Sequence, residues 1–301
     1  MGLASCRFSS FHATPYSNIG LIVLRGRDAR LLFQAHNFDY SRIYPVMNTR
    51  SKGKKQKGNF YGGISGLQVP VPKYLFPEEH KDSSRLTYYA TFFNSIEINS
   101  TFYKLPLERT IAGWASMVPD DFRFTFKLWK EITHVKGLDF KESDIEKYFK
   151  IIAAAGSKKG CILIQFPPSL GSANVMQLDV LLRCVQQNNV NKEWKIAVEF
   201  RNRSWYNEDV YDLLNLHGAA LVIQDIPKSA TPLVEQLPDF VYVRFHGPTG
   251  NYRDSYSDSF LAEYATYINE WREEGKTVYA YFNNTMGDAF QNLQLLRSFV
   301  K

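Results

Sequence analysis

Eight short apolar runs recur between residues 60 and 283, and each runs into a polar or charged residue. They lie at 60–64, 95–99, 122–127, 161–166, 195–201, 220–225, 241–246 and 278–283. Most are separated by a segment with the length and 3.6-residue apolar period of an amphipathic helix, as at 107–117, 142–155, 175–187, 208–216, 258–274 and 287–300. Gly156, Gly218 and Gly275 follow three of these segments as helix stops. The connection 226–239 is short and proline-bearing, and carries the weakest helical pattern. Strands that alternate with helices predict an α/β fold with a parallel sheet. Eight such units predict a TIM-type (β/α)8 barrel over residues 59–301. In barrels of this kind the chemistry sits at the C-terminal ends of the strands.

The period of two along each strand predicts which side chains face the interior. In 122–127, Phe122, Phe124 and Phe126 alternate with Arg123, Thr125 and Lys127. The phenylalanines suit a helix-packed face, so Lys127 is predicted to point into the barrel. The same alternation turns Glu97 and Asn99 inward on the second strand and Gln165 on the fourth. On the fifth it turns Glu199 and Arg201 inward, on the seventh Tyr242, Arg244 and His246, and on the eighth Tyr281 and Asn283. The sixth strand ends at Asp225. Removing a charge from water costs several kcal/mol unless it is paired, so charges ringing one mouth need a reason. One reason is a self-neutralising ion network, such as Glu199–Arg244 or Glu97–Lys127. The other is a ligand site that uses such pairs.

Charge separates the first 58 residues from the rest. They hold ten Lys/Arg against two Asp/Glu, while residues 59–301 hold 26 against 28, a net of −2. The basic character therefore belongs to the segment 1–58, expected as an extension outside the barrel. Its Arg- and Ser-rich, acid-poor make-up also fits an organelle-targeting segment. The barrel offers no net field for phosphate backbones, which disfavours nucleic acid as a partner. No run reaches the roughly 18 consecutive apolar residues of a membrane span. Cys6, Cys161 and Cys184 are far apart in sequence and read as free thiols, favouring an intracellular, cytoplasmic setting.

Several segments together resemble domain-of-unknown-function family 72, the YecE-like proteins. They are Gly63-Ile-Ser-Gly66, Phe93-Asn-Ser-Ile-Glu-Ile-Asn-Ser-Thr-Phe-Tyr103, Phe124-Thr-Phe-Lys127 with Ile132-Thr-His134, and Ile164-Gln-Phe-Pro-Pro168. Val198-Glu-Phe-Arg201 with Ser204-Trp205, Tyr242-Val-Arg-Phe-His-Gly247 and Tyr281-Phe-Asn-Asn284 complete the set, in family order. The resemblance implies a TIM-type barrel and no particular reaction. By position it implies Glu97, Asn99, Tyr103, Lys127, His134, Glu199, Arg201, Trp205, Arg244, His246 and Asn283 as motif residues. Such proteins usually carry a tryptophan-containing loop after the Gly-x-Ser-Gly turn. This chain has Leu67-Gln-Val-Pro-Val-Pro72 instead.

These residue types permit acid–base or hydrolytic chemistry on a small anionic molecule with a ring, such as a nucleotide or sugar phosphate. Glu97, Glu199, Asp225 and His246 are the candidate acids and bases, whose pKa a mixed-charge mouth can tune. Lys127, Arg201 and Arg244 would hold an anion, with Asn99, Gln165, His134 and Asn283 beside them. Tyr103 and Trp205 would stack on a ring. A phosphate cradle built from the backbone of the turn at Ser65 is a weaker candidate. No cofactor is expected. The rival arrangement is a divalent-metal hydrolase with Glu199, Asp225 and His246 as ligands. A non-catalytic protein binding a metabolite or nucleic acid is the other alternative.

Overall fold

A computed structural model describes residues 56–301, apart from 233 and 235–237. The expected basic extension falls outside these residues almost entirely. Gly58, placed at its end, belongs to the fold instead. Its N–H donates to the Arg272 carbonyl (2.8 Å), and the Arg272 Nε donates back to its own carbonyl (2.9 Å).

The strands are β1 (Phe60–Ile64), β2 (Ser95–Ile98), β3 (Arg123–Lys127), β4 (Lys159–Gln165) and β5 (Lys195–Glu199). Then come β6 (Ala220–Leu221), β7 (Ile223–Gln224), β8 (Phe240–Phe245) and β9 (Thr277–Phe282). All pair in parallel, in two sheets ordered β1-β9-β8-β7 and β2-β3-β4-β5-β6. The single strand expected at 220–225 is thus two short pieces. Leu221 pairs with Val198 of β5, and Ile223 pairs with Val243 of β8. Between them the Val222 N–H still donates to the Val198 carbonyl (2.9 Å). One strand therefore passes from one sheet to the other.

The second seam lies between β1 and β2, where side chains take over from the ladder. The Ile64 N–H donates to Tyr89 Oη (2.9 Å), which donates to the Ser95 carbonyl (2.9 Å). Asn94 bridges in the same way, accepting from the Gly62 N–H (3.0 Å) and donating to the Phe60 carbonyl (2.8 Å). A parallel bridge joins Ser65 to Glu97. Two seams that both join the sheets make the α/β fold barrel-like. The close approach requires glycine at 63, because a Cβ there would meet the Ser95 carbonyl oxygen at 2.4 Å. Gly63→Ala should therefore cost about 1–3 kcal/mol by overpacking. Urea denaturation would show it, and an unchanged midpoint would mean the seam is loose.

The nine α-helices among the described residues are α1 (Arg85–Tyr89), α2 (Ser100–Tyr103), α3 (Glu108–Ser116), α4 (Lys130–Thr133) and α5 (Glu142–Ile152), followed by α6 (Val175–Asn188), α7 (Glu208–Leu216), α8 (Asp258–Glu273) and α9 (Ala289–Phe299). Their ends follow local chemistry. Asn207 caps α7 by accepting from the Val210 N–H, with Glu208 and Asp209 in the first turn. Ser257 caps α8 by accepting from the Phe260 N–H. Gly218 and Gly275 stop them with φ of +59° and +87°. Between β7 and β8 the described residues form no helix.

The alternation of the strands divides the core in two. Phe122, Phe124, Phe126, Ile162, Ile164, Ile196 and Val198 join the helices in the outer core. Cys161, Leu163, Ala197, Ala220, Val222, Phe240, Tyr242, Tyr279 and Tyr281 fill the interior. Along the same inward rows, Leu163 gives way to Gln165, Ala197 to Glu199, and Tyr242 to Arg244. The apolar interior becomes charged towards the C-terminal ends of the strands. Among the described residues, no helix is long and apolar enough to cross a membrane.

Candidate functional site

Arg244, on β8, is the hub of the charged layer and is fully buried. It grips Glu97 of β2 bidentately, Nε to Oε2 (2.9 Å) and Nη2 to Oε1 (2.6 Å). Its Nη1 donates to Glu199 Oε2 (2.7 Å) on β5. Ser65 and Tyr242 complete the Glu97 carboxylate, each donating a hydroxyl at 2.6 Å. The other Glu199 oxygen accepts from Arg201 Nε. Burial pushes both carboxyls up, but the arginines more than offset it, and both lie below the ordinary glutamate value. Burial likewise opposes the Arg244 charge, and Glu199 and Glu97 hold it protonated. Each charge in this layer has its counter-charge in direct contact.

His246 is the next link. Its Nε2 receives Arg201 Nη2 (3.0 Å) and Arg244 Nη1 (3.2 Å). Guanidinium nitrogens only donate, so Nε2 is the unprotonated nitrogen. The proton sits on Nδ1, 3.2 Å from Asp225 Oδ1. Burial pushes the imidazole down, which agrees with this neutral tautomer. Asp225 also accepts from the His246 backbone N–H (2.8 Å) and from the Tyr256 hydroxyl.

Above this layer opens a cavity of about 190 Å³, lined by Asn99, Phe102, Tyr103, Lys127, Gln165, Arg201, Arg244, Tyr252 and Asn283. Three cations line it and no carboxylate does. Lys127 ends β3 and donates to Gln165 Oε1 (2.7 Å), with its ammonium 4.2 Å from the Phe102 ring centroid. Burial, with Arg244 next, pushes Lys127 down to about 8. Arg201 gives Nη1 to the Tyr252 hydroxyl (3.1 Å). Among the described residues, this leaves two N–H groups on Arg201 and two on Lys127 without a hydrogen-bond partner in the protein. The Asn99 side-chain oxygen, also in the lining, is buried with no partner.

A family model described as "Protein of unknown function DUF72" matches residues 61–301. The chain belongs to the DUF72 family. The UPF0759 protein YunF of Bacillus subtilis is 26% identical over 258 residues, 72% of this chain and 87% of that protein. UPF0759 protein YecE of Escherichia coli is 26% identical over 141 residues, which cover 46% of this chain and 50% of YecE. A DUF72 family crystal structure from Thermotoga maritima matches with a TM-score of 0.67 at 29% identity, over 80% of this chain and 99% of that one. One from Enterococcus faecalis, at 22% identity, has a TM-score of 0.66 over 80% of this chain and 95% of that one, and shares the fold.

In this DUF72 chain the residues named from alternation, strand ends and the family resemblance lie on two levels. Asn99, Tyr103, Lys127, Gln165, Arg201, Arg244 and Asn283 line the cavity. Glu97, Glu199, Asp225 and His246 lie beneath or behind it, outside its lining. Glu97 pairs with Arg244 rather than with Lys127. His134 stands at the edge, its Nδ1 2.9 Å from Thr133 Oγ1 and its ring against Phe102. Its surroundings and the Lys127 and Arg201 charges push it down to about 4.

Trp205 is a correction. It is fully buried, stacks on Phe200 at 4.8 Å and donates Nε1–H to the Leu170 carbonyl (2.8 Å). It packs the outer core and has no face towards the cavity lining. The phosphate cradle at Ser65 is a second correction. The Ser65 N–H is taken by the Phe282 carbonyl (2.9 Å) and the Gly66 N–H by that of Ile64 (2.9 Å). Among the described residues, no three His, Cys, Asp or Glu side chains group as metal ligands. The oxygens and imidazole nitrogens cast in that role already face arginines and hydroxyls.

Strand alternation missed Tyr252, which reaches the cavity from the loop after β8. Its φ is +64°, a conformation uncommon for a bulky residue. Its N–H is fixed to the His246 carbonyl (2.7 Å), and its carbonyl accepts from the Met286 N–H (3.0 Å). The glycines at 247 and 250 were the only sequence signal of a tight turn there.

Proposed function

We propose that this DUF72 chain is a TIM-type (β/α)8 enzyme whose C-terminal mouth binds the anionic group of a small molecule and acts on it by acid–base chemistry. The supporting observation is the carboxylate-free cavity, with unpartnered N–H groups on Lys127 and Arg201. Every acidic side chain of the layer is already spent on an arginine, a hydroxyl or His246, so an incoming anion meets no carboxylate. A volume of about 190 Å³ is ample for a phosphate or carboxylate group. A ring on the ligand would lie over Tyr103, an exposed aromatic side chain in the lining.

The roles expected from sequence shift accordingly. Glu97, Glu199, Asp225 and His246 position Arg244 and Arg201. Lys127, held to about 8, is the group in the cavity that changes charge near neutral pH. It is therefore the acid or base of this reading.

Inorganic phosphate is the probe that tests it. Phosphate should raise the melting temperature of the full chain in a saturable way. Lys127→Met removes a cation that has no carboxylate partner, so the fold should keep its stability and lose most of the phosphate response. The response should also fade as pH rises through about 8, where Lys127 gives up its charge. A phosphate shift equal in the native chain and Lys127→Met would overturn the assignment.

A further inference from the structure

Lys127 differs from the other charged groups of the mouth in having no carboxylate to neutralise it. Glu97 is taken by Arg244, and Glu199 by Arg244 and Arg201. Two guanidinium groups face the amine across the same small cavity. The only side-chain contacts described for its nitrogen are the neutral Gln165 oxygen at 2.7 Å and the Phe102 ring. A lysine that is desolvated and crowded by other cations keeps a sizeable neutral fraction at physiological pH, and a neutral amine is a nucleophile. The nitrogen sits at the end of a strand, on a rigid element, and in reach of a ligand whose anionic end is held by Arg201.

We infer that Lys127 is an imine-forming amine and that the substrate class is a small anion bearing an aldehyde or ketone, such as an oxo acid. This rests on the anion-binding reading of the same cavity. With the carboxylate or phosphate on Arg201, the carbonyl carbon falls towards the Lys127 nitrogen. The neutral amine adds to that carbon to give a carbinolamine. Its hydroxyl, which carries the former carbonyl oxygen, then leaves. The two amine hydrogens depart with that oxygen as water, and a C=N bond to Nζ remains. No oxidant or reductant is consumed. The imine withdraws electrons from the adjacent carbon, which suits proton removal or carbon–carbon cleavage at that position. Burial, with the Arg244 and Arg201 charges, holds the amine down at about 8 against the opposing pull of Glu199 and Glu97.

Reductive trapping tests the inference. The full chain is incubated with glyoxylate or with pyruvate and sodium cyanoborohydride, and labelled lysines are mapped by peptide mass spectrometry. Lys127 should label at least tenfold faster than exposed lysines such as Lys81 and Lys104 at pH 7. Its labelling rate should reach half its maximum around pH 8 and be levelling off by pH 9, whereas exposed lysines should still be gaining at pH 9. Lys127→Arg removes the nucleophile and should lose the fast adduct, while the native chain's phosphate-induced melting shift reports the anion site separately. Labelling of Lys127 no faster than that of surface lysines, with either oxo acid, would overturn imine formation. Were the phosphate response intact in that same experiment, the anion site would stand without it. Loss of both would remove the cavity as a site.

Discussion

Arg244→Met is expected to destabilise the chain more than any other single change in the charged layer. Arg244 supplies both charge-assisted bonds from arginine to Glu97 and one of those to Glu199. Its loss leaves Glu97 buried with only two hydroxyl donors. Breaking a buried pair from one side costs about 3–5 kcal/mol, which for a domain of this size is a fall of roughly 6–20 °C in melting temperature. The pH dependence should also change sign. In the native chain, Glu97 and Glu199 are held below the ordinary 4.5. Their contribution is therefore fully present above that pH and is lost as pH falls through the lower folded values. In Arg244→Met, burial without the guanidinium raises Glu97 instead. The folded variant then binds more protons than its unfolded chain above 4.5, so its stability should fall as pH rises from 5 to 8. Glu97→Leu with Arg244→Met should recover part of the loss, because Glu199 keeps Arg201. Melting curves of the native, single and double variants at pH 5 and 8 measure this. A loss under about 1 kcal/mol, or a variant with the native pH slope, would mean the layer is wet rather than buried.

How much of this was legible in the sequence depends on which force decides each feature. Period-two alternation is set by the pleat, so it placed Lys127, Glu199, Arg244 and His246 on one side of their strands without further knowledge. The distinction between lining the cavity and supporting it was not legible. Glu97 and Lys127 both follow the same inward rule, yet Arg244 reaches Glu97 from β8, and Lys127 is left to Gln165. Which cation claims a carboxylate depends on side-chain reach across the barrel, and strand alternation carries no such information.

The ends of strands and the loops beyond them were read less well. Asn99 was expected as the last strand residue, but its backbone has φ −82° and ψ −17° and leads into α2. Ile223 and Gln224 continue the sixth run in sequence but pair with the other sheet. The switch at Val222 depends on how the seam closes, which no local pattern encodes. Tyr252 depends on a left-handed backbone that favours glycine, so propensity argues against it. It is held there by hydrogen bonds to His246 and Met286, both distant in the pattern of strands.

Trp205 gives the sharpest test of the division between core and cavity. An aromatic residue just past a strand end suggested stacking on a ligand. Its ring instead lies nearly parallel to Phe200, at 11°, with Phe166 6.0 Å away. Its N–H satisfies the Leu170 carbonyl of the loop after β4. A fully buried indole with its one donor paired is a packing residue. Trp205→Ala should therefore cost about 3–5 kcal/mol through the cavity it leaves. Trp205→Phe should cost about 1–3 kcal/mol, because it keeps a ring and orphans the Leu170 oxygen. In both, the fraction that remains folded at low temperature should take up phosphate with native affinity, since Lys127, Arg201 and Asn99 are untouched. Urea unfolding and phosphate titration by calorimetry on the same samples separate the two quantities. Weakened phosphate binding in Trp205→Phe, with stability near native, would return Trp205 to the site and break the separation of outer core from mouth.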